Sequence, residues 1–345
     1  MHSESQQLII DSVGKLLSDH VTPALIESVE GGDFAADLWS ELVNQGLLLL
    51  GLDEACGGYG GTFGDQLALL RECGRHAVPA PVSHTLLANH LRSMLGQQGL
   101  TTPSAVIDGA VLSGSSESIS GELRDVPWGV MLSSVLVQAE LEGASCWIEL
   151  SVSKSSDQGT NIAGEPTATL SFDGAAPMAV LGSVSEQHLR ELLHRGAAMH
   201  SAMMAGALEQ ALQIAVGYVL ERKQFGQPLA KFQAIQHQLA VMATEVAAST
   251  RSVDQMQMTE GAPSDLDVAI AKARVGEAVG LSTDTAHQVM GAMGYTREHH
   301  LNYLTRRLWL WRDQFGHETF WQSEIGKHFL SANQADLWTQ ITDLS

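Results

Sequence analysis

The sequence is short of basic residues, cysteines and long apolar runs, and each shortage excludes a class of protein. Only 19 Lys and Arg stand against 39 Asp and Glu, so a formal charge of −20 argues against nucleic acid as a partner. Three cysteines without CxxC spacing, Cys56, Cys73 and Cys146, predict buried thiols rather than disulfides or a zinc site. Because no run of about 18 apolar residues and no basic or apolar leader is present, we predict a cytoplasmic protein without a membrane span.

The 345 residues divide by pattern into three regions, which we predict as three packed domains. Residues 1–95 are mostly helical, with a helix over 65–74 that ends at Gly74 as a C-cap. Residues 96–183 are richer in Ser, Thr and Gly, and predict a small antiparallel β domain. The runs predicted as strands are 129–137, 146–152 and 167–172.

The last region, 184–345, returns to a helical pattern, and a capping box is expected at Ser264 with Asp267. Long helices joined by short loops pack best as an antiparallel bundle. The fold class that follows is α+β, mainly α. The predicted long helices are 186–222, 232–258, 264–290 and 318–331.

Two common site types find little support in the sequence. The glycine-dense stretch 57–64 contains no GxGxxG or GxxxxGK[ST] pattern, which favours a turn over a phosphate-binding loop. A di-iron bundle needs two Glu-x-x-His pairs, and only Glu191 with His194 supplies one. We therefore predict no metal site.

An aromatic and arginine-rich stretch, 303–321, admits two interpretations. Arginines beside Trp309, Trp311 and Trp321 could bind a nucleotide ring through cation–π contacts. Aromatic residues at helical spacing are more often core or subunit interface, and we favour that interpretation.

The sharpest local feature begins at Arg222, at the predicted end of a long helix. A tight turn with Gly226 and Pro228 follows, and then a helix with Gln233 in its first turn. A guanidinium beside carboxamides and a helix end suits a pyrophosphate or an adenine ribose, although Arg222 could also simply cap its own helix. A second feature, Gln288 followed by Gly291 and Gly294, would let a phosphate or another backbone approach closely.

Together these segments strongly resemble the C-terminal helical domain of FAD-dependent acyl-CoA dehydrogenases. The resemblance rests on Arg222-Lys223-Gln224-Phe225-Gly226, on Phe232-Gln233 with Gln236, and on Gln288, Gly291, Gly294-Tyr295 and Glu298. The segments 46–51, 57–60 and 71–75 look like the first helical domain of the same family. The resemblance extends over nearly the whole chain.

The family implies an α-helical domain, a β-barrel and a four-helix bundle, with FAD at a dimer interface. By this resemblance Arg222, Gln224 and Phe225 contact the nucleotide of FAD held largely in the neighbouring subunit, with Gln233 close by. Gln288, Gly291 and Gly294 line the pyrophosphate from the same side. The implied reaction removes a Cα proton from an acyl-CoA thioester with a carboxylate base and transfers a Cβ hydride to the flavin, leaving a trans-2-enoyl-CoA.

The sequence departs from the family where that base belongs. One family position falls at Phe315, counted from Gln288, and the other at Gly196, counted from Arg222. Neither is a carboxylate. The nearest alternatives to Phe315 are Asp313 and Glu318.

A second departure lies in the β domain. The family's flavin-contacting Thr-Glu-Pro and Gly-Ser-Asp stretch is shortened here, and Glu165-Pro166 lacks its second half. One face of the flavin pocket is therefore expected to come from elsewhere.

Three hypotheses follow. In the first, the chain is the non-catalytic half of a heteromeric enzyme that resembles two-gene dehydrogenases for steroid side chains and other bulky acyl-CoA esters, and a homologous subunit supplies the base. In the second, it is a self-sufficient homo-oligomer with Asp313 or Glu318 as base. In the third, it is a flavin- or acyl-CoA-binding scaffold without turnover. In either enzyme, an acidic surface fits docking to an electron-transfer flavoprotein.

Overall fold

The computed structural model describes residues 4–153, 155–259, 261–296 and 299–331. Five helices form the first unit, with short 3₁₀ turns at Leu47–Leu49 and Glu54–Cys56. They are α1 (Glu4–His20), α2 (Pro23–Glu30), α3 (Ala36–Asn44), α4 (Phe63–Arg75) and α5 (Val82–Met94).

Helix α4 starts and ends for identifiable reasons. Thr62 and Asp65 form a capping box at its N-terminus. The predicted C-cap at Gly74 is wrong, since the helix continues to Arg75 and is capped by His76. Gly74 instead allows close packing: a Cβ there would lie 1.9 Å from the carbonyl oxygen of Met203.

The glycine-dense turn before α4 is a loop, as expected. Gly57, Gly60 and Gly61 all have positive φ angles, which glycine adopts without strain.

The middle region is one seven-stranded sheet with the order β5-β6-β2-β1-β3-β4-β7. Its strands are β1 (Ser104–Gly114), β2 (Ile119–Pro127), β3 (Ser134–Leu141), β4 (Ala144–Ser151), β5 (Ser155–Thr160), β6 (Pro166–Ala175) and β7 (Ala179–Ser183).

Two expectations for this sheet need correction. The sheet is mixed rather than antiparallel, because β1 pairs with β3 in parallel. The strand expected from residue 129 starts only at Ser134, since Gly129–Met131 forms a 3₁₀ turn that follows Trp128 in the left-handed conformation.

The last region is helical, with a two-residue-strand hairpin after its first helix. Its elements are α6 (Glu186–Glu221), β8 (Lys223–Gln224), β9 (Gln227–Pro228), α7 (Gln233–Met258), α8 (Asp265–Met290), α9 (His300–Asp313) and α10 (Glu318–Ser331). The expected capping box at Ser264 and Asp267 is confirmed. The change from helices to strands and back falls near residues 95 and 184, and the division into three domains stays a prediction.

Helix α6 is the core of the bundle and also packs on α4, where a Cβ on Gly206 would lie 1.9 Å from the carbonyl oxygen of Arg71. By length and composition alone it could cross a membrane, but half of its most apolar stretch is buried within the fold. That burial is the pattern of a core helix.

The aromatic stretch belongs mainly to the core. Trp311 and Trp321 are buried, while the Arg312 guanidinium lies 5.1 Å from the ring centre of Trp309. Among the cysteines, Cys56 and Cys73 are buried as expected, whereas Cys146 is half-buried.

Candidate functional site

The hairpin after α6 presents the first set of predicted site residues to solvent. Arg222 ends the helix, and its carbonyl accepts from the backbone N–H of Leu229 at 2.8 Å, which closes the hairpin. Phe225 and Gly226 form the turn with φ angles of 52° and 82°. Arg222 and Gln224 are exposed, and Phe225 is 90% exposed. A phenyl ring this exposed leaves its apolar faces open to solvent or to another molecule.

Helix α7 begins beside this hairpin without a side-chain cap. Gln233 is its first residue and is exposed. Phe232 precedes it and packs edge-on against Phe225, with ring centres 6.1 Å apart. An uncapped helix N-terminus directs backbone N–H groups outward and favours anions.

The second set of residues lies where α8 ends, and its two glycines differ. Gly291 is exposed, has φ 58° and ψ −140°, and a Cβ there would meet nothing within 4 Å. Gly294 is buried, and a Cβ there would lie 3.0 Å from Nδ1 of His287. Gly291 therefore leaves room for an approaching group, whereas Gly294 packs against its own chain. Gln288 is exposed on the last turn of α8, and Glu298 lies outside the described residues.

Helix directions place both sets at the same end of the bundle. Helices α6 and α7 run antiparallel, because only the short segment 222–232 joins them and Thr250 on α7 still donates to Glu209 on α6 at 2.8 Å. His194 near the start of α6 lies 2.9 Å from Asp265 at the start of α8, so α6 and α8 run in the same direction. The C-terminal ends of α6 and α8 and the N-terminus of α7 therefore share one end, which we call the nucleotide end.

The donors at the nucleotide end fit part of a FAD site. A guanidinium, carboxamides and free helix N–H groups are the chemistry that holds phosphate and ribose oxygens. The β-domain residues fit less well, since Glu165 is buried against Arg307 with Oε1 3.6 Å from Nε. Burial raises the pKa of Glu165, while Arg307 opposes that shift. This carboxylate forms a buried ion pair between the β domain and α9 and is not exposed to a cofactor.

The two family positions for the base face each other inside the fold. A Cβ on Gly196 would lie 2.3 Å from Cδ1 of Phe315, so the phenyl ring rests directly on this glycine of α6. Phe315 is half-buried, with φ 54°. The place where the family resemblance puts a carboxylate is filled by an aromatic ring.

Two histidines, which sequence reasoning missed, complete this region: His200 is buried and His84 is half-buried. His200 Nδ1 lies 2.9 Å from the carbonyl oxygen of Gly196, and its ring centre lies 4.8 Å from that of Phe315. His84 on α5 follows at 6.4 Å from His200. Burial lowers the pKa of His200 to about 3 and that of His84 to about 4, so both rings are neutral and weakly basic. Their signal in the sequence is a histidine within an otherwise apolar or small-residue run.

The connection between α9 and α10, residues 314–317, carries Phe315 and is tied from two sides. The Lys272 Nζ on α8 donates to the carbonyls of Arg312 at 2.7 Å and Gly316 at 2.8 Å. The Trp321 indole N–H donates to the carbonyls of Phe315 at 3.0 Å and Gly316 at 3.2 Å. Lys272 was also missed, although a lysine between apolar residues of a helix is the signal that could have found it.

The two carboxylates named as alternative bases lie on either side of this connection. Asp313 is exposed. Glu318 accepts from Arg312, with Oε2 2.9 Å from Nε, and this hydrogen bond lowers the pKa of the carboxyl. A carboxylate held by a guanidinium is a weaker base than a free one.

Comparison with known proteins agrees with the resemblance. Residues 3–99 match the model for the acyl-CoA dehydrogenase N-terminal domain, and residues 187–312 match that for the C-terminal domain. The chain is 27% identical to acyl-CoA dehydrogenase IpdE2 of Mycobacterium tuberculosis over 88% of this chain and 91% of that protein.

Solved structures share the fold at lower identity. A chain of the ChsE4-ChsE5 complex from Mycobacterium tuberculosis matches with a TM-score of 0.83 and 20% identity, covering 97% of this chain and 99% of that one. A chain of the Tcur3481-Tcur3483 steroid ACAD matches with a TM-score of 0.81 and 23% identity, covering 95% and 98%. With helical domain, sheet and bundle in the same order, this chain belongs to the acyl-CoA dehydrogenase family.

Proposed function

We propose that this chain is the FAD-contacting, base-lacking subunit of a heteromeric acyl-CoA dehydrogenase, which converts an acyl-CoA thioester to the trans-2-enoyl-CoA. The observation that carries the proposal is the contact between Phe315 and Gly196, because it leaves no carboxylate at either family position of the base. The homologous subunit then supplies the base.

At the nucleotide end, this chain's own residues would bind and orient the cofactor. Arg222 places a fixed cation and a fork of donors against phosphate oxygens, and Gln224, Gln233 and Gln288 add carboxamides around it. Phe225 would cover an apolar part of the bound cofactor and exclude water from it. Bound FAD supplies the hydride acceptor for the substrate Cβ–H. The Cα proton goes to a carboxylate of the other subunit, because the two family positions of the base hold Phe315 and Gly196 in this chain.

The related structures support a two-subunit assembly and a bulky substrate. The ChsE4-ChsE5 structure is a complex of two named polypeptides, and the Tcur3481-Tcur3483 protein is named a steroid ACAD. By this likeness we propose a steroid or comparably bulky acyl-CoA as substrate. The charge of −20 supports an electron-transfer flavoprotein with a basic docking patch as electron acceptor.

Co-purification tests the proposal. The tagged chain is isolated from the cells that naturally produce it, and the intact complex is weighed by native mass spectrometry. We expect a homologous subunit in equal amount, bound flavin, and acyl-CoA turnover with an artificial electron acceptor only in the complex. A yellow, active preparation that contains this polypeptide alone contradicts the proposal and makes the chain a self-sufficient enzyme.

A further inference from the structure

We propose that the 314–317 connection is a latched plug that closes this chain's own acyl site, with Phe315 as the plug and Lys272 and Trp321 as the positioning residues that hold it. The acyl site means the space between α5, α6 and this connection, beside the two positions where the family resemblance puts the catalytic base. The inference rests on the proposed function, since a plug matters only in a subunit that performs no chemistry there.

The contacts of Phe315 show how the space is filled. Its ring lies on Gly196, where even a methyl group would collide at 2.3 Å. His200 flanks the ring at 4.8 Å between ring centres, and His84 closes the α5 side. Phe315 therefore occupies the space beside Gly196 and His200 that an acyl chain would need.

The backbone of the plug is held in an unfavourable conformation. Phe315 has φ 54°, which is rare and unfavourable for a bulky residue. Lys272 is fully buried, and its Nζ donates to one backbone carbonyl in the last turn of α9 and to one in this connection. Strain and a buried ammonium persist together only where the surroundings over-determine one conformation.

Four hydrogen bonds hold the connection in this one conformation. Lys272 holds the connection at Arg312 and Gly316, on both sides of the plug, and Trp321 holds the carbonyls of Phe315 and Gly316. The ion pair of Arg312 with Glu318 joins the flanking helix ends. A base-lacking site left open would bind acyl-CoA without turnover, and the latched ring prevents this unproductive binding.

Ligand discrimination by the full-length chain, purified alone, tests the plug. Isothermal titration calorimetry compares octanoyl-CoA with CoA. For the unaltered chain we expect affinities equal within about twofold, or no binding of either. For Phe315→Ala we expect octanoyl-CoA to bind at least about tenfold more tightly than CoA, since each buried methylene strengthens binding about fourfold. Phe329→Ala, on a half-buried ring further along α10, is the matched control and should leave the ratio unchanged.

The latch is tested with Trp321→Phe, which removes one N–H donor and keeps the ring, and with Lys272→Met. Hydrogen exchange at 314–317 should become at least about tenfold faster, and octanoyl-CoA should gain affinity over CoA. In a Phe315→Ala background the latch variants should add nothing to the ratio, whereas a general loss of structure would weaken both ligands in either background.

Two outcomes overturn the inference. One is an unaltered chain that already prefers octanoyl-CoA tenfold, and the other is a folded Phe315→Ala variant with no preference, with Phe315→Leu replacing it if alanine prevents folding. Neither outcome touches the proposed function, which fails instead if the chain alone turns acyl-CoA over.

Discussion

The two ends of the bundle differ in what their polar side chains contact. At the nucleotide end, Arg222, Gln224 and Gln288 extend to solvent from a hairpin and a helix end. At the acyl site, Lys272 and Trp321 use their donors on carbonyls of the same chain. Donors left exposed on rigid elements are available to another molecule, whereas donors used internally fix a shape. The comparison separates an exposed polar surface from a packed region whose donors are used within the chain.

The largest expected effect comes from removing the central cation of the nucleotide end. Arg222→Ala should weaken FAD binding to the assembled enzyme by about 100-fold, because a charge-assisted fork of hydrogen bonds is lost. Flavin absorbance per complex and a FAD titration measure it. Arg251→Ala, on an exposed arginine of α7, is the control. Unchanged occupancy in a folded Arg222→Ala complex would remove this residue from the site.

The buried amine of Lys272 at the acyl site predicts that the free energy of unfolding depends on pH. Burial lowers the pKa of Lys272 to about 8, so between about pH 8 and 10.5 the unfolded chain binds a proton that the folded chain has released. The free energy of unfolding should therefore rise with pH in this window, by up to roughly 3 kcal/mol from this group. Denaturant titrations at pH 8 and pH 10 measure the change.

Lys272→Met isolates this contribution, because the other titrating groups act equally in both proteins. The variant should show a smaller increase from pH 8 to pH 10. If both proteins change alike, the amine is not desolvated as the structure indicates.

Two glycines of α6 sharpen the comparison within one helix. Gly196→Ala should destabilise the chain by about 2 kcal/mol, because its Cβ collides with Phe315. Gly217→Ala should stabilise it by about 1 kcal/mol, because nothing lies within 4 Å and alanine has the higher helix propensity. Thermal unfolding measures both. Equal signs at the two positions would contradict the packing described for Phe315.

The smallest effect is expected at the remaining carboxylates. Asp313→Asn and Glu318→Gln should each leave turnover of the assembled complex within a few-fold, whereas loss of a general base typically lowers the rate by about 10²–10⁴. Steady-state rates with saturating acyl-CoA measure the change in turnover. A loss of that size in a preparation of this polypeptide alone would replace the heteromer with a self-sufficient enzyme.

Much of this architecture could be predicted from the chain itself. The bounds of α6, α7 and α8 follow from apolar periodicity and from a capping box at Ser264, because local signals determine where such helices start and end. The parallel pairing of β1 with β3 could not be predicted, since it depends on contacts distant in sequence.

In the candidate site, too, one part could be found from the sequence and another could not. The motif around Arg222 is contiguous and was found, and its role toward FAD stays a prediction. The cluster of His84, His200 and Lys272 was missed, because residues from three helices meet only after packing. Counting residues showed that Phe315 and Gly196 lack a carboxyl group, but only the fold shows that they touch.

Helix α6 also fixes the distance between two regions of the chain. It is unbroken from Glu186 to Glu221, and the 26 residues from Gly196 to Glu221 span roughly 39 Å at the rise of about 1.5 Å per residue. One cofactor with its reactive ring at Gly196 would have to extend over this whole length to reach Arg222. The helix therefore keeps Phe315 and Arg222 at a fixed separation, so under the proposed function the flavin that Arg222 would contact has its reactive ring away from the closed acyl site of this chain.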